Sequence, residues 1–162
     1  MQIPICTFCV KADTLCTHCE GKLREGRISQ LDVELSKYLY EKYGHLDIEY
    51  VSSFSTKDMA ILFFKGNIAP IVGREGRGAL EIGERIGKKV KIIDLNRDIK
   101  KVISDIIYPV ALLGLNTIFT NEGEVSKIRL AKKDLVRIPF DINSMEKVLL
   151  GLMQRRIKIA FE

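Results

Sequence analysis

Ile71-Val72-Gly73-Arg74-Glu75-Gly76 decides how this chain reads, because the residues on either side look like scaffolding for one tight turn. A short apolar helical run ends at Gly73, and a second, Leu80-Glu81-Ile82-Gly83-Glu84-Arg85-Ile86, starts soon after Gly76. Glycine at both ends removes the Cβ atoms that would hold off a neighbouring chain, and it admits left-handed dihedrals. The helix that follows aims its first free N–H groups, and the positive end of its dipole, at the same place. A turn of this make suits a phosphodiester backbone.

Upstream, Met59-Ala60-Ile61-Leu62-Phe63-Phe64 reads as a buried strand, and downstream Val90-Lys91-Ile92-Ile93 alternates as a half-buried one does. Strand, helix, G-x-x-G, helix, strand resembles the core of the KH family, whose members clamp about four nucleotides of single-stranded RNA or DNA across this loop. The resemblance implies backbone contact at Gly73, Arg74, Glu75 and Gly76, with Arg77 beside them. Bases are then expected over an apolar groove around Ile68 and Ile71, and phosphates near Lys65, Lys88 and Lys89. The competing reading is a helical corner in an ordinary α/β core.

Length and charge bound the rest. A chain of 162 residues, 46% hydrophobic and 29% charged, can bury one substantial core or two small ones. Its net charge of +5 favours a polyanionic partner. No apolar run spans a bilayer and no signal-peptide pattern opens the chain, so a cytoplasmic location is expected. With no phosphate-binding G-x-x-x-x-G-K-[ST] loop and no recognisable nucleophile motif, no catalytic residue is assigned and an enzyme is not expected.

All four cysteines fall in the first 19 residues, as Cys6-Thr7-Phe8-Cys9 and Cys16-Thr17-His18-Cys19. Two residues between thiolates lets both sulfurs of a pair reach one tetrahedral ion, and two pairs close the shell. A structural zinc is expected, supplying folding free energy that so short a segment lacks. Iron–sulfur ligation or dithiol redox chemistry would also draw on paired cysteines. The six-residue gap demands a tight connection, and His18 reads as an exposed bystander.

Ser29 and Asp32 look like the cap of a helix that carries Leu31, Leu35, Tyr38 and Leu39 on one stripe and ends near Gly44. Two strands follow, giving helix-strand-strand-helix-helix-strand, the type II arrangement of the KH fold. Sliding the chain 67 positions along itself sets like residues opposite one another. Leu35 meets Val102, Ile61 meets Ile128, Phe63 meets Leu130, Ile71 meets Ile138 and Ile82 meets Leu149. The expected class is therefore α+β, two tandem type II KH domains behind a small four-cysteine zinc segment. The expected boundaries are 1–27 for the cysteine segment, 28–95 for the first KH unit and 96–162 for a degenerate second one. Opposite the first loop stand Phe140-Asp141-Ile142-Asn143, with no glycine and with Pro139 ahead of them, so this copy is not expected to clamp a backbone. Its many lysines and arginines could still track phosphates, or could simply be a solvated face.

A KH pair with a degraded second loop, behind a short cysteine-rich start, resembles the archaeal NusA-like transcription factors. The resemblance implies RNA binding in transcription elongation and termination. Bacterial NusA carries polymerase-binding and S1 domains besides its KH pair, and neither pattern is read in these residues. A second expectation, of a different class, is a docking module on the small ribosomal subunit or on RNA polymerase, with the zinc segment touching protein.

Overall fold

The computed structural model describes residues 1–162. Two short helices, α1 (Thr7–Lys11) and α2 (Thr17–Arg24), carry the cysteine pairs. The longer α3 (Gln30–Tyr43) starts on a reciprocal cap. The Ser29 hydroxyl accepts from the Asp32 N–H at 3.0 Å and the Asp32 carboxylate accepts from the Ser29 N–H at 2.8 Å. It stops at Gly44. A hairpin of β1 (Ile48–Ser55) and β2 (Met59–Gly66) follows, then α4 (Ala69–Val72), a 3-10 turn at Arg74–Gly76, α5 (Arg77–Ile86) and β3 (Lys89–Asp94). The sheet order is β1-β2-β3, with the first pair antiparallel and the second parallel. One face of β2, through Ala60, Leu62 and Phe64, closes a core with Leu35 and Leu39 of α3, Ile71 of α4 and Ile82 of α5.

The same plan recurs in α6 (Ile99–Ile107), β4 (Leu112–Thr120), β5 (Gly123–Leu130), a 3-10 stretch at Lys132–Arg137, α7 (Ile142–Met153) and β6 (Arg156–Phe161). Its sheet order is β4-β5-β6, again antiparallel then parallel. The protein is α+β, with two KH-like units and two mixed three-stranded sheets. By packing, the chain divides into Met1–Asn96 and Arg97–Glu162. The cysteine segment belongs to the first of these, because Ile5, Cys9, Cys19 and Ile28 form one buried cluster with Val33 of α3. Gln2 also adds a parallel bridge to Glu49 on the outer side of β1.

The repeat is real but it is not ungapped. Helix pairs keep the expected spacing of 67: Leu35 with Val102 and Ile82 with Leu149 are all buried. The last strands keep it too, as Lys89–Asp94 and Arg156–Phe161. Between them the register slips. Leu62 pairs with Ile92, and Ile128 with Ile159, so Leu62 answers to Ile128, 66 positions away. Tyr50 pairs with Phe64 as Leu112 does with Leu130, which makes that spacing 62. The expected partners Ile61 with Ile128 and Phe63 with Leu130 are thus corrected to Leu62 and Phe64. A slip of one residue exchanges the faces of a strand. It escapes apolar matching here because β2 is buried on both faces from Met59 to Phe64.

The second unit also differs from the first in two smaller ways. The second copy's counterpart of α4 is only 3-10, leaving Leu135 exposed where Ile68 is half-buried. The cap of α6 is Asp98, whose carboxylate accepts from the Lys100 N–H at 3.2 Å. In the first unit, Glu81 of α5 reaches across to α3. There it accepts from the Tyr38 hydroxyl at 2.8 Å and pairs with Lys42 at 2.5 Å, while Arg85 lies over the Tyr38 ring.

Asp32 does more than cap. Its buried carboxylate also accepts from the Tyr50 hydroxyl at 2.8 Å and the Ser53 hydroxyl at 2.6 Å, tying α3 to β1. Burial pushes the Tyr50 phenol far above its usual range, and the Asp32 charge adds to the shift. Asp32→Ala should cost about 3 kcal/mol in urea unfolding, because it strands two hydroxyls and an N–H. The phenol's contribution to stability is full below the unfolded tyrosine value of about 10 and declines as pH rises beyond it. Tyr50→Phe should therefore flatten the alkaline slope of unfolding free energy against pH.

Candidate nucleic-acid interface and metal centre

The loop owes its shape to three glycines. Gly73 has φ of 71° and Gly76 of 73°, both left-handed. Glu75 between them is also left-handed, at φ 54°. A Cβ on Gly76 would meet nothing within 4 Å, so the approach to the turn is open above it. Gly78, which the sequence pattern does not single out, is the third. It is buried in the first turn of α5, where a Cβ would lie 1.8 Å from the Ile71 carbonyl oxygen. The signal was present as a glycine inside a helical run, a residue that a helix interior tolerates at a cost.

Arg74, Glu75 and Arg77 are all exposed or half-exposed at the surface. Neither arginine makes an ion pair or a side-chain hydrogen bond within the chain, so both guanidinium groups face solvent beside the loop. Lys65 is exposed opposite Glu49 in the sheet, and Lys89 is exposed at the start of β3. Lys88 is engaged elsewhere: its ammonium donates to the Ser55 hydroxyl at 2.6 Å and the Thr56 carbonyl at 2.7 Å, pinning the β1–β2 turn.

An open groove adjoins the loop on its α5 side, and neither Ile68 nor Ile71 lines it. Ile71 is 0% exposed and Ile68 packs half-buried on the core, so Ile71 supports the loop from beneath and has no surface for a base. An open groove of about 490 Å³ instead runs from Gly76 along Ala79, Leu80 and Gly83 of α5 to Val90 of β3, with Lys88 and Lys89 on its rim. Leu80 is 66% exposed in it. Gly83 lets helix and strand approach, since a Cβ there would sit 2.7 Å from the Lys88 carbonyl oxygen.

The second unit has a groove of about 510 Å³ in the matching place, lined by Asn143, Glu146, Lys147, Leu150, Arg156 and Ile157. These stand 67 positions from Gly76, Ala79, Leu80, Gly83, Lys89 and Val90, so the cleft survives while its lining turns polar. Its loop end is closed to anions. Asp141 caps α7, accepting from the Ser144 N–H at 2.9 Å and its hydroxyl at 2.6 Å, and those bonds hold the carboxyl below its usual range. A carboxylate thus fills the place at the helix start that a phosphate would take. The basic residues are largely paired as well: Arg129 and Lys127 with Glu162, Arg137 with Asp134, Arg155 with Glu124 and Arg156 with Glu122.

The four cysteines converge as expected. Their sulfurs lie within 4.8 Å of one another, with Cys6 Sγ 3.4 Å from Cys9 Sγ and 3.8 Å from Cys16 Sγ. Sulfurs about 2.3 Å from a central tetrahedral ion stand about 3.8 Å apart, so the set fits zinc. Two matching turns build it. Cys6 and Cys16 sit at the N-caps of α1 and α2, and Cys9 and Cys19, both buried, sit in the first turns. The turns exchange hydrogen bonds: the Cys6 N–H donates to Cys19 Sγ at 3.3 Å and the Cys16 N–H to Cys9 Sγ at 3.0 Å. Only the short Ala12–Leu15 stretch lies between α1 and the cap of α2. His18 is exposed beside the shell.

The thiols differ in acidity. The Cys19 N–H draws Cys16 down to about 7, helped by the Cys9 thiol. The Cys16 N–H acts strongly on Cys9 in the same sense, yet burial and the neighbouring thiols outweigh it and push Cys9 up to about 12. Cys6 is likewise lowered by the Cys9 N–H, and Cys19 is raised by burial. Hydrogen bonds from backbone N–H groups thus favour the thiolate at Cys6 and Cys16, and burial opposes it at Cys9 and Cys19, so a bound dication would have to supply the charge that keeps all four ionised. Among known proteins, the solved crystal structure of APE1850 matches with a TM-score of 0.53, at 14% identity, over 78% of this chain and 96% of that one. The likeness is one of fold. No family model matches the chain, and no curated protein matches it. No helix is long and apolar enough to cross a membrane.

Metal-loaded protein should leave all four thiols unreactive toward a thiol reagent, and chelation should expose them. Because each ligand must lose its proton, zinc affinity should fall as pH drops through and below neutrality. Competition with a coloured chelator across that range measures it, and an unchanged affinity would contradict the four-thiolate shell.

Proposed function

We propose that the chain is a single-stranded RNA-binding factor of the NusA-like kind, acting on nascent transcripts in elongation and termination, and that it is not an enzyme. The observation that carries this reading is the left-handed surface loop Gly73–Gly76, open above Gly76 and flanked by the unpaired Arg74 and Arg77. The backbone of one nucleotide rests on the loop, where N–H groups at the start of α5 and the two arginines meet its phosphate. The neighbouring base lies over Leu80 and Val90 in the adjoining groove, with Lys89 along its edge. Zinc would be held by Cys6, Cys9, Cys16 and Cys19, where it supplies structural cross-linking and no reaction chemistry.

A second reading has one observation in its favour. Phe8, at the tip of the first cysteine turn, is 69% exposed, and an aromatic ring so placed is suited to a protein surface on polymerase or the small ribosomal subunit. Phe8→Ala tests it without disturbing the shell: loss of co-sedimentation with either assembly would favour docking, with RNA contact secondary.

The decisive variant is Arg74→Asp combined with Glu75→Asp. Aspartate accepts the left-handed conformation of position 75, so the fold should stand. Affinity for a single-stranded oligonucleotide, read by fluorescence anisotropy at fixed salt, should drop about tenfold or more, with a shallower salt dependence. Unchanged affinity with an unchanged circular dichroism spectrum would defeat the proposal.

A further inference from the structure

Each three-stranded sheet leaves two outer strands, and four such edges exist in the chain. Three are guarded in ways that natural sheets use against stray pairing. The outer side of β1 takes the Gln2 bridge, β3 carries Lys89 and Lys91, and β6 carries Arg156 and Lys158. The fourth, β4, is the longest strand of the chain at nine residues and contains no charge: Leu-Leu-Gly-Leu-Asn-Thr-Ile-Phe-Thr. It pairs only with β5. Near its end Phe119 is 80% exposed, more than any other aromatic ring in the protein. A long uncharged edge with an exposed ring is an open template for another strand.

We propose that β4 pairs with β4 of a second copy, antiparallel across a two-fold axis, joining the two sheets into one of six strands. Charge is consistent with this occupant: the chain carries a net +5, and the uncharged β4 meets itself without setting like charges opposite each other. The pattern is also self-complementary. Beyond a bulge between Leu112 and Gly114 the strand runs regularly to Thr120. Pairing centred on Thr117 brings Phe119 opposite Leu115 of the other copy, Ile118 opposite Asn116, and Thr120 opposite Gly114. Leu115, Thr117 and Phe119 alternate onto one face, so each exposed ring gains an apolar cross-strand neighbour at both ends of the ribbon. The bulge twists the first part of the edge away and limits the ribbon to this stretch. A closed isologous pair uses up the edge in both copies and leaves nothing for a fibre to grow on.

Sedimentation equilibrium of the metal-loaded chain tests this, and the expected mass is twice that of the chain. Thr117→Lys places two ammonium groups on the two-fold axis and should halve the mass, with the circular dichroism spectrum of the native chain retained. Thr117 is exposed, so the substitution disturbs no core. Thr117→Cys is the independent check. Directly opposed residues of an antiparallel pair bring their Cα atoms about 4.5–5.5 Å apart, within disulfide reach, so mild oxidation should give a covalent dimer. A monomeric native chain at every concentration overturns the proposal. So does a Thr117→Lys chain that stays dimeric, or a dimer in which Thr117→Cys fails to cross-link.

Discussion

The first unit turns on how closely α4 and α5 approach each other. At Gly78 the Ile71 carbonyl oxygen sits where a Cβ would be, 1.8 Å from it, so any side chain there would push the two helices apart. That contact lets α4 end and α5 begin within a few residues, with Ile71 and Ile82 both in the core beneath. The turn between them is left with no room for ordinary dihedrals, and Gly73, Glu75 and Gly76 all take positive φ values. Strain of this sort persists where surrounding packing over-determines it. The open loop is therefore a product of core packing and not a flexible insertion.

Much of this was legible in the sequence, because the strongest local signals act over short range. The G-x-x-G turn, the reciprocal Ser29–Asp32 cap and the paired cysteines each depend on residues within a few positions of one another, and each appears as read. The plan of two like units was legible for a similar reason: helix stripes at Leu35, Leu39 and Ile82 recur at a constant spacing. What stayed hidden depends on tertiary register. β2 is apolar on both faces, so its sequence carries no record of which face meets the helices, and a slip of one position passes unseen. The KH resemblance implied a base-contacting groove around Ile68 and Ile71, both apolar and next to the loop. The same apolarity takes Ile71 wholly into the core, and the surface cleft falls to Leu80 and Gly83 on the other helix. Gly78 shows in the sequence only as a glycine inside a helical run, which does not say that the Ile71 carbonyl oxygen lies against it.

Divergence between the two units shows what a duplicated scaffold can lose while keeping its fold. All six lining residues of the second cleft match positions in the first, yet Lys147 stands where the first unit has Leu80, and Leu150 where it has Gly83. At the loop, the glycines have given way to Phe140, which is buried, and to a helix capped by its own Asp141. Each change is tolerated because the sheet and the Ile128, Leu130 and Leu149 core are untouched. Basic residues remain numerous in the second unit, but most are engaged with glutamate or aspartate. Composition alone therefore overstates its free positive charge.

The position of Val33 carries a consequence for the chain's dependence on its surroundings. This residue shares a buried cluster with Cys9 and Cys19 and directly follows Asp32, the carboxylate that fastens α3 to β1. The thiolate cage and the helix that roofs the first sheet are thus adjacent parts of a single wall. A cell starved of thiophilic metal would hold a protein weakened in one unit only, with the half that carries the Gly73–Gly76 turn softened while the other half kept its shape.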